Sequence, residues 1–131
     1  LYLILKRGVI MEKRILIVDD DEMVRIALLE LLKPEGYILD VVGSGKEALV
    51  KIAENKYDLM MFDIIMPEMD GMELCKKVRS MEEYKEIPVV FLTAKSREQD
   101  KIKGLEAGAN LFLSKPIAPE KLLSIISGTI G

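Results

Sequence analysis

Short apolar runs recur along the chain, separated by stretches with helical periodicity, and this alternation limits the possible folds more than any other feature. Five runs stand out: Ile15–Val18, Ile38–Val42, Leu59–Phe62, Val89–Leu92 and Leu111–Leu113. Three of them, ILIV, LMMF and VVFL, are continuous rather than alternating. A strand covered by helices on both faces has no polar side, so continuous runs mark the interior strands of a parallel sheet. The second run carries Asp40 and the fifth is very short, which suits the two edges.

The intervening segments read as helices. Val24, Ala27, Leu28 and Leu31 fit an i, i+3, i+4, i+7 stripe that Pro34-Glu35-Gly36 brings to an end. Ser44 with Glu47, and Asp70 with Glu73, have capping-box spacing ahead of Leu49, Ile52 and Ala53 and of Leu74, Val78 and Met81. Ser96 with Gln99 predicts the start of a fourth helix, whose stripe of Ile102, Leu105 and Ala109 is thin and which contains Gly104. Pro119 suits the first position of a fifth helix, followed by Leu122, Ile125 and Ile126. Five strand-helix alternations with short connections make an α/β chain with a doubly wound (βα)5, flavodoxin-like fold. Its parallel five-stranded sheet is expected in the order 2-1-3-4-5.

Composition narrows the chemistry. The 131 residues carry 19 basic and 22 acidic side chains, a net charge of −3, so neither nucleic acid nor an anionic membrane is an expected partner. One cysteine cannot close an internal disulfide, and with no histidine there is no Cys/His zinc site and no His-dependent triad. Residues 1–12 read as an extension ahead of a single domain at 13–131. Its apolar opening, LYLIL, is far shorter than the ~20 residues of a membrane span, and its charges follow rather than precede the apolar run as they would in a signal peptide. A tail or an added strand suits it better than a dimer contact. A cytoplasmic location is expected.

In a doubly wound sheet the ligand lies beyond the carboxyl ends of the strands, near the switch point between strands 1 and 3. Strand 1 runs into Asp19-Asp20-Asp21, strand 3 into Asp63, strand 4 into Thr93-Ala94 and strand 5 into Ser114-Lys115-Pro116. Any one of these alone reads as a cap or a solvated loop residue, and Asp21 suits the N-cap of the first helix. Together, at the ends of four strands on one edge, they form a carboxylate pocket. Its repulsion asks for a cation, and a few hard oxygens suit Mg²⁺. A lysine and a hydroxyl beside such an ion are what the oxygens of a phosphoryl group need. Cys75, on an apolar helix face, reads as a small core residue, and Gly71 as relief for a tight turn before the third helix.

The segments ILIVDDDE, MMFDIIMPEMDGMEL, VVFLTAKS and FLSKP, in that order, resemble the signatures of response-regulator receiver domains, the CheY-like modules of two-component signalling. The resemblance covers about residues 13–127. It implies that Asp63 is the phosphoacceptor, turned into an acyl phosphate by a partner's phosphohistidine. Asp19, Asp20, Asp63 and the backbone carbonyl of Ile65 would be the Mg²⁺ ligands. Thr93 and Lys115 would hold phosphoryl oxygens, Ala94 would keep the donor's approach open, and Lys115-Pro116 would be cis. Phe112 would take the aromatic switch position, with rotamer and burial changes but no hydroxyl bond. Ile65 and Lys95 fall where the family tunes dephosphorylation. Three consecutive aspartates leave the register open, and Asp19 with Asp20 lies nearest the strand end.

The partners so implied are a histidine kinase or phosphotransfer protein and a downstream target or effector domain. The helix 4–strand 5–helix 5 face would be the output surface and one route to a homodimer. Such a chain is a signalling phosphoacceptor rather than an enzyme, catalysing only its own phosphorylation and dephosphorylation. Two other readings compete with this one. A haloacid-dehalogenase-type phosphatase shares the aspartyl nucleophile but wants a second Asp two residues later, where Ile65 stands. A pseudo-receiver binding module predicts loss of a site residue, and all are present.

Overall fold

The computed structural model describes residues 12–131, so the extension lies outside the described residues apart from the exposed Glu12. The elements are β1 (Arg14–Val18), α1 (Glu22–Leu32), β2 (Ile38–Val42), α2 (Gly45–Glu54), β3 (Leu59–Phe62), α3 (Gly71–Arg79), β4 (Val89–Thr93), α4 (Glu98–Glu106), β5 (Leu111–Ser114) and α5 (Pro119–Ile130). One-turn 3₁₀ segments follow α1 and α3. All strand pairs are parallel and the order is β2-β1-β3-β4-β5, with β2 and β5 at the edges.

Alternate residues of β1 feed two core layers. Ile15 and Ile17 meet Leu28 and Leu32 of α1 and Leu122 and Ile126 of α5 on one face. Leu16 and Val18 meet Ala48 and Ile52 of α2 and Leu74, Cys75 and Val78 of α3 on the other. A strand buried from both sides has no place for a polar residue, which is why ILIV, LMMF and VVFL carry none. The acidic residue in β2 is accommodated at the edge, where the Tyr57 hydroxyl donates to Asp40 Oδ2 over 2.6 Å.

Capping follows the local chemistry, with two adjustments. Asp21, Ser44 and Asp70 accept from the N–H groups of Met23, Glu47 and Glu73 at the starts of α1, α2 and α3. The Glu47 carboxylate, however, reaches back to the Gly43 N–H at 2.8 Å rather than to Ser44. Helix α4 starts one residue later than the Ser96/Gln99 spacing predicts: Arg97 is its N-cap, and Asp100 Oδ2 accepts the Arg97 N–H at 3.1 Å. Two members of the predicted stripe, Ile102 and Leu105, are turned outward and half exposed at 50% and 53%, while the third, Ala109, lies beyond the end of α4 and is buried. Asp100, Gly104 and Ala107 face the sheet instead. The cause lies at Gly104, where a Cβ would stand 2.9 Å from the Phe112 ring and 3.1 Å from that of Phe91. The helix approaches the two rings through the residue that has no side chain.

Candidate functional site

The sheet ladder itself aims the acidic residues. It continues one residue past the strands, with Asp19 N–H donating to the Val42 carbonyl (3.1 Å) and Asp63 N–H to the Val18 carbonyl (2.9 Å). Asp19 and Asp63 are thus placed by backbone on adjacent strands, and both are buried. The Arg25 guanidinium donates to the Asp19 carbonyl at 2.7 Å, and the Asp21 N–H donates to Asp19 Oδ1 at 2.9 Å. The three consecutive aspartates consequently separate: Asp19 is locked, Asp20 is exposed, and Asp21 caps α1. Carboxylate oxygens of Asp19, Asp20 and Asp63 lie within 4.8 Å of one another.

The opposite wall comes from β4 and β5. The Lys115 N–H donates to the Thr93 carbonyl at 2.9 Å, and the Lys115-Pro116 bond is cis. From there the ammonium reaches Asp19 Oδ2 at 2.6 Å and Asp63 Oδ2 at 3.3 Å. Thr93 is fully buried and its hydroxyl accepts the Lys95 N–H at 3.2 Å. Ala94 is exposed beside it. Ile65 turns its side chain to solvent, while its N–H approaches Asp63 Oδ1 at 3.3 Å. Phe112 lies apart from the carboxylates, half buried, with its ring edge-on to Phe91 at 6.1 Å and 76°.

Burial pushes the Asp19 carboxyl above the ordinary carboxylate range, and the charge of Asp63 adds to this against the hydrogen bonds from Lys115 and the Asp21 N–H. Burial works the other way on Lys115, but the hydrogen bond and charge of Asp19, with those of Asp63, outweigh it and raise the ammonium's pKa. One lysine therefore balances two of three gathered carboxylates. Hard oxygen donors in such surplus fit a small divalent cation such as Mg²⁺.

Gly71 belongs to this site for a reason its sequence context does not reveal. Its φ does not lie in the left-handed region that favours glycine. A Cβ there would stand 2.1 Å from the Asp63 carbonyl oxygen and 3.0 Å from Ile64 Cα, so the start of α3 presses directly on the backbone of Asp63. Gly71 N–H also donates to the Ile64 carbonyl at 2.9 Å. The available signal is a glycine inside the first turn of a capped helix, where propensity alone gives it no advantage. Arg25, bonded to the Asp19 carbonyl, and Asp100, bonded to the Arg97 N–H, likewise carry no signal at the level of sequence.

Residues 15–127 match the response regulator receiver domain. The chain belongs to that family. It is 41% identical over 114 residues to the response regulator MprA of Mycobacterium sp. (strain KMS), covering 87% of this chain and 49% of the relative. The chain spans about half the length of the curated relatives it matches. Among solved structures, the Vibrio cholerae chemotaxis protein CheY4 superposes with a TM-score of 0.86 at 33% identity, over 91% of this chain and 99% of that one. A CheY-like receiver domain protein from Methanospirillum hungatei gives 0.85 at 32% identity, over 92% and 94% of the two chains. Receiver membership sets the phosphatase reading aside. Among the described residues of this receiver domain, no helix is long and apolar enough to cross a membrane.

Proposed function

We propose that this receiver domain takes a phosphoryl group onto Asp63 from the phosphohistidine of a histidine kinase or phosphotransfer protein. The observation that carries the reading is the meeting of three carboxylates within 4.8 Å under a lysine that touches two of them. The carboxylates of Asp19, Asp20 and Asp63, with the Ile65 carbonyl, would hold Mg²⁺. The bound ion would offset the charge of the incoming phosphoryl oxygens beside so many carboxylates.

Asp63 is the nucleophile. One of its oxygens forms the new P–O bond as the P–N bond to the donor imidazole breaks, and the electron pair leaves on the imidazole nitrogen, which takes up a proton. The Lys115 ammonium, already 3.3 Å from Asp63 Oδ2, moves its charge onto a phosphoryl oxygen, and the Thr93 hydroxyl donates to another. The exposed Ala94 leaves the donor's approach open. Added charge at Asp63 draws the β4–α4 connection inward and repacks Phe112 against Phe91, which alters the α4–β5–α5 face offered to a target protein, an effector domain or a second copy. The chain is a cytoplasmic signalling acceptor whose catalysis is confined to its own phosphorylation and dephosphorylation.

The test is incubation with acetyl phosphate and Mg²⁺, followed by intact-mass measurement. One added phosphoryl group on the wild type and none on Asp63→Asn is the expected result. Equal labelling of Asp63→Asn would overturn the acceptor assignment, and an unlabelled wild type would turn the reading toward a phosphate-independent binding module.

A further inference from the structure

Asp100 is a buried acid that the chemistry at Asp63 does not use. It lies in the first turn of α4 with 4% of its surface exposed, on a helix whose apolar residues face outward. Burying a carboxylate without partners is costly, so its contacts identify what it is there to hold. Oδ2 accepts the Arg97 N–H at 3.1 Å, and Oδ1 lies 3.8 Å from the ammonium of Lys95. Lys95 is tied a second time through its backbone, whose N–H donates to the Thr93 hydroxyl at 3.2 Å. The β4–α4 connection is therefore stapled at one end to Thr93 and at the other to Asp100, with Lys95 in both staples.

We infer that Asp100 is a positioning residue that sets the phosphorylation balance of the domain by holding this connection in its resting form. The inference rests on the reading of Asp63 as phosphoacceptor. A Thr93 hydroxyl that turns toward a phosphoryl oxygen changes its geometry to the Lys95 N–H, and the Asp100 staple resists that change. The same ion pair keeps the Lys95 ammonium over α4. A groove of about 720 Å³, lined by Ile65, Ala94, Lys95, Arg97, Asp100 and Lys103, gives a released ammonium room to swing toward Ile65, two residues from Asp63. Both effects act in one direction: the staple favours the unphosphorylated form.

Three variants test this in the full chain: Asp100→Asn, which keeps an acceptor for the Arg97 N–H but loses the charge, Lys95→Met, and the pair together. After labelling with acetyl phosphate and Mg²⁺ and removal of the donor, the half-life of the acyl phosphate is read by intact mass. Asp100→Asn is expected to lengthen it about threefold, the size of one half-exposed ion pair. The double variant should show no further gain over Asp100→Asn. Amide hydrogen exchange at Lys95 in the unphosphorylated protein should be faster in Asp100→Asn, a readout that needs no phosphoryl chemistry, while Arg97, whose N–H keeps its acceptor, serves as the internal reference.

A half-life and a Lys95 exchange rate unchanged from wild type in Asp100→Asn would overturn the proposal. So would a half-life that shortens, or effects of Asp100→Asn and Lys95→Met that simply add. Failure of the wild type to label would instead strike the acceptor reading, and the exchange experiment would still decide whether Asp100 holds the connection. Lys95 is half exposed, so Lys95→Met, which breaks the same tie and should likewise lengthen the half-life, tests the proposal even if Asp100→Asn folds poorly, and an unchanged half-life in it would overturn the proposal.

Discussion

Gly71→Ala is the substitution that most directly asks whether Asp63, the proposed acceptor, is positioned by close backbone packing. The added methyl carbon would sit 2.1 Å from the Asp63 carbonyl oxygen, where a relaxed carbon–oxygen contact needs roughly 3.2 Å, so one backbone must retreat by about 1 Å. Neither partner is a flexible side-chain end. Asp63 is pinned by its N–H to the Val18 carbonyl, and Gly71 by its N–H to the Ile64 carbonyl. Overpacking of this kind costs about 1–3 kcal/mol or somewhat more. Against it stands a gain of about 0.4–1 kcal/mol from restricting the unfolded chain. A net loss of about 1–2 kcal/mol results, and with a urea m-value of about 2 kcal/mol/M the unfolding midpoint should fall by about 0.5–1 M. Displacing Asp63 by even a fraction of that shift should also slow labelling by acetyl phosphate. A Gly71→Ala variant with a wild-type urea midpoint and wild-type labelling would refute the claim that this glycine exists to let α3 press on the backbone of Asp63.

Other substitutions and conditions probe the neighbouring elements. On the proposed reading Mg²⁺ would bind the folded pocket and not the unfolded chain, so at ten times its dissociation constant it should add about 1.4 kcal/mol of stability, seen as a higher melting temperature; an unchanged melting curve at millimolar Mg²⁺ would count against the cation site. Without metal, Asp20→Ala should melt higher than wild type because it thins the carboxylate cluster, and a clear loss of stability would contradict that. The raised pKa of Asp19 means that its ionised form subtracts from native stability at neutral pH. That cost is relieved as pH falls through the native pKa and is gone below the ordinary value of 3.8; a carboxyl carbon NMR titration placing Asp19 at or below 3.8 would refute it. Arg79→Ala should destabilise the chain by about 2–4 kcal/mol, because the guanidinium donates to the carbonyls of Gly108 and Tyr84 and to Asn110 Oδ1, all at 2.8–2.9 Å; a shift below ~0.5 kcal/mol in denaturant unfolding would show those bonds to be replaceable by water.

What the sequence revealed and what it hid divide along a physical line. Interior and edge strands were legible because burial on both faces writes itself into composition: ILIV, LMMF and VVFL have no polar side to offer, whereas Asp40 could sit only where Tyr57 and an edge were available. The convergence of Asp19, Asp63, Thr93 and Lys115 was legible because a parallel sheet brings all its strand ends to one edge, so topology alone supplies proximity. The hidden part depends on how closely two backbones approach and how a helix is rotated about its axis. Those quantities are set by pairs of residues far apart in sequence, and neither member announces the other.

Helix α4 is governed by both of these hidden quantities. Ile102 and Leu105 have the spacing of an apolar stripe, yet within the helix the other side is buried, because Gly104 lets it come close to Phe112 and Phe91. The consequence is a helix anchored at its start by a buried carboxylate and, along its length, by small residues, with little apolar area holding it down. Apolar burial contributes about 25 cal/mol per Å², so a helix that leaves Ile102 and Leu105 half in water has little to lose by shifting. Its resting position must then depend more heavily on discrete polar ties, and those ties lead through Asp100 and Lys95 to the Thr93 hydroxyl. A helix held in this manner can be moved by a change at the hydroxyl where its ties end, whereas one fastened by a full apolar face would have to give up several kcal/mol first. The outward turn of the stripe is thus part of the same arrangement that places a buried acid at the start of α4.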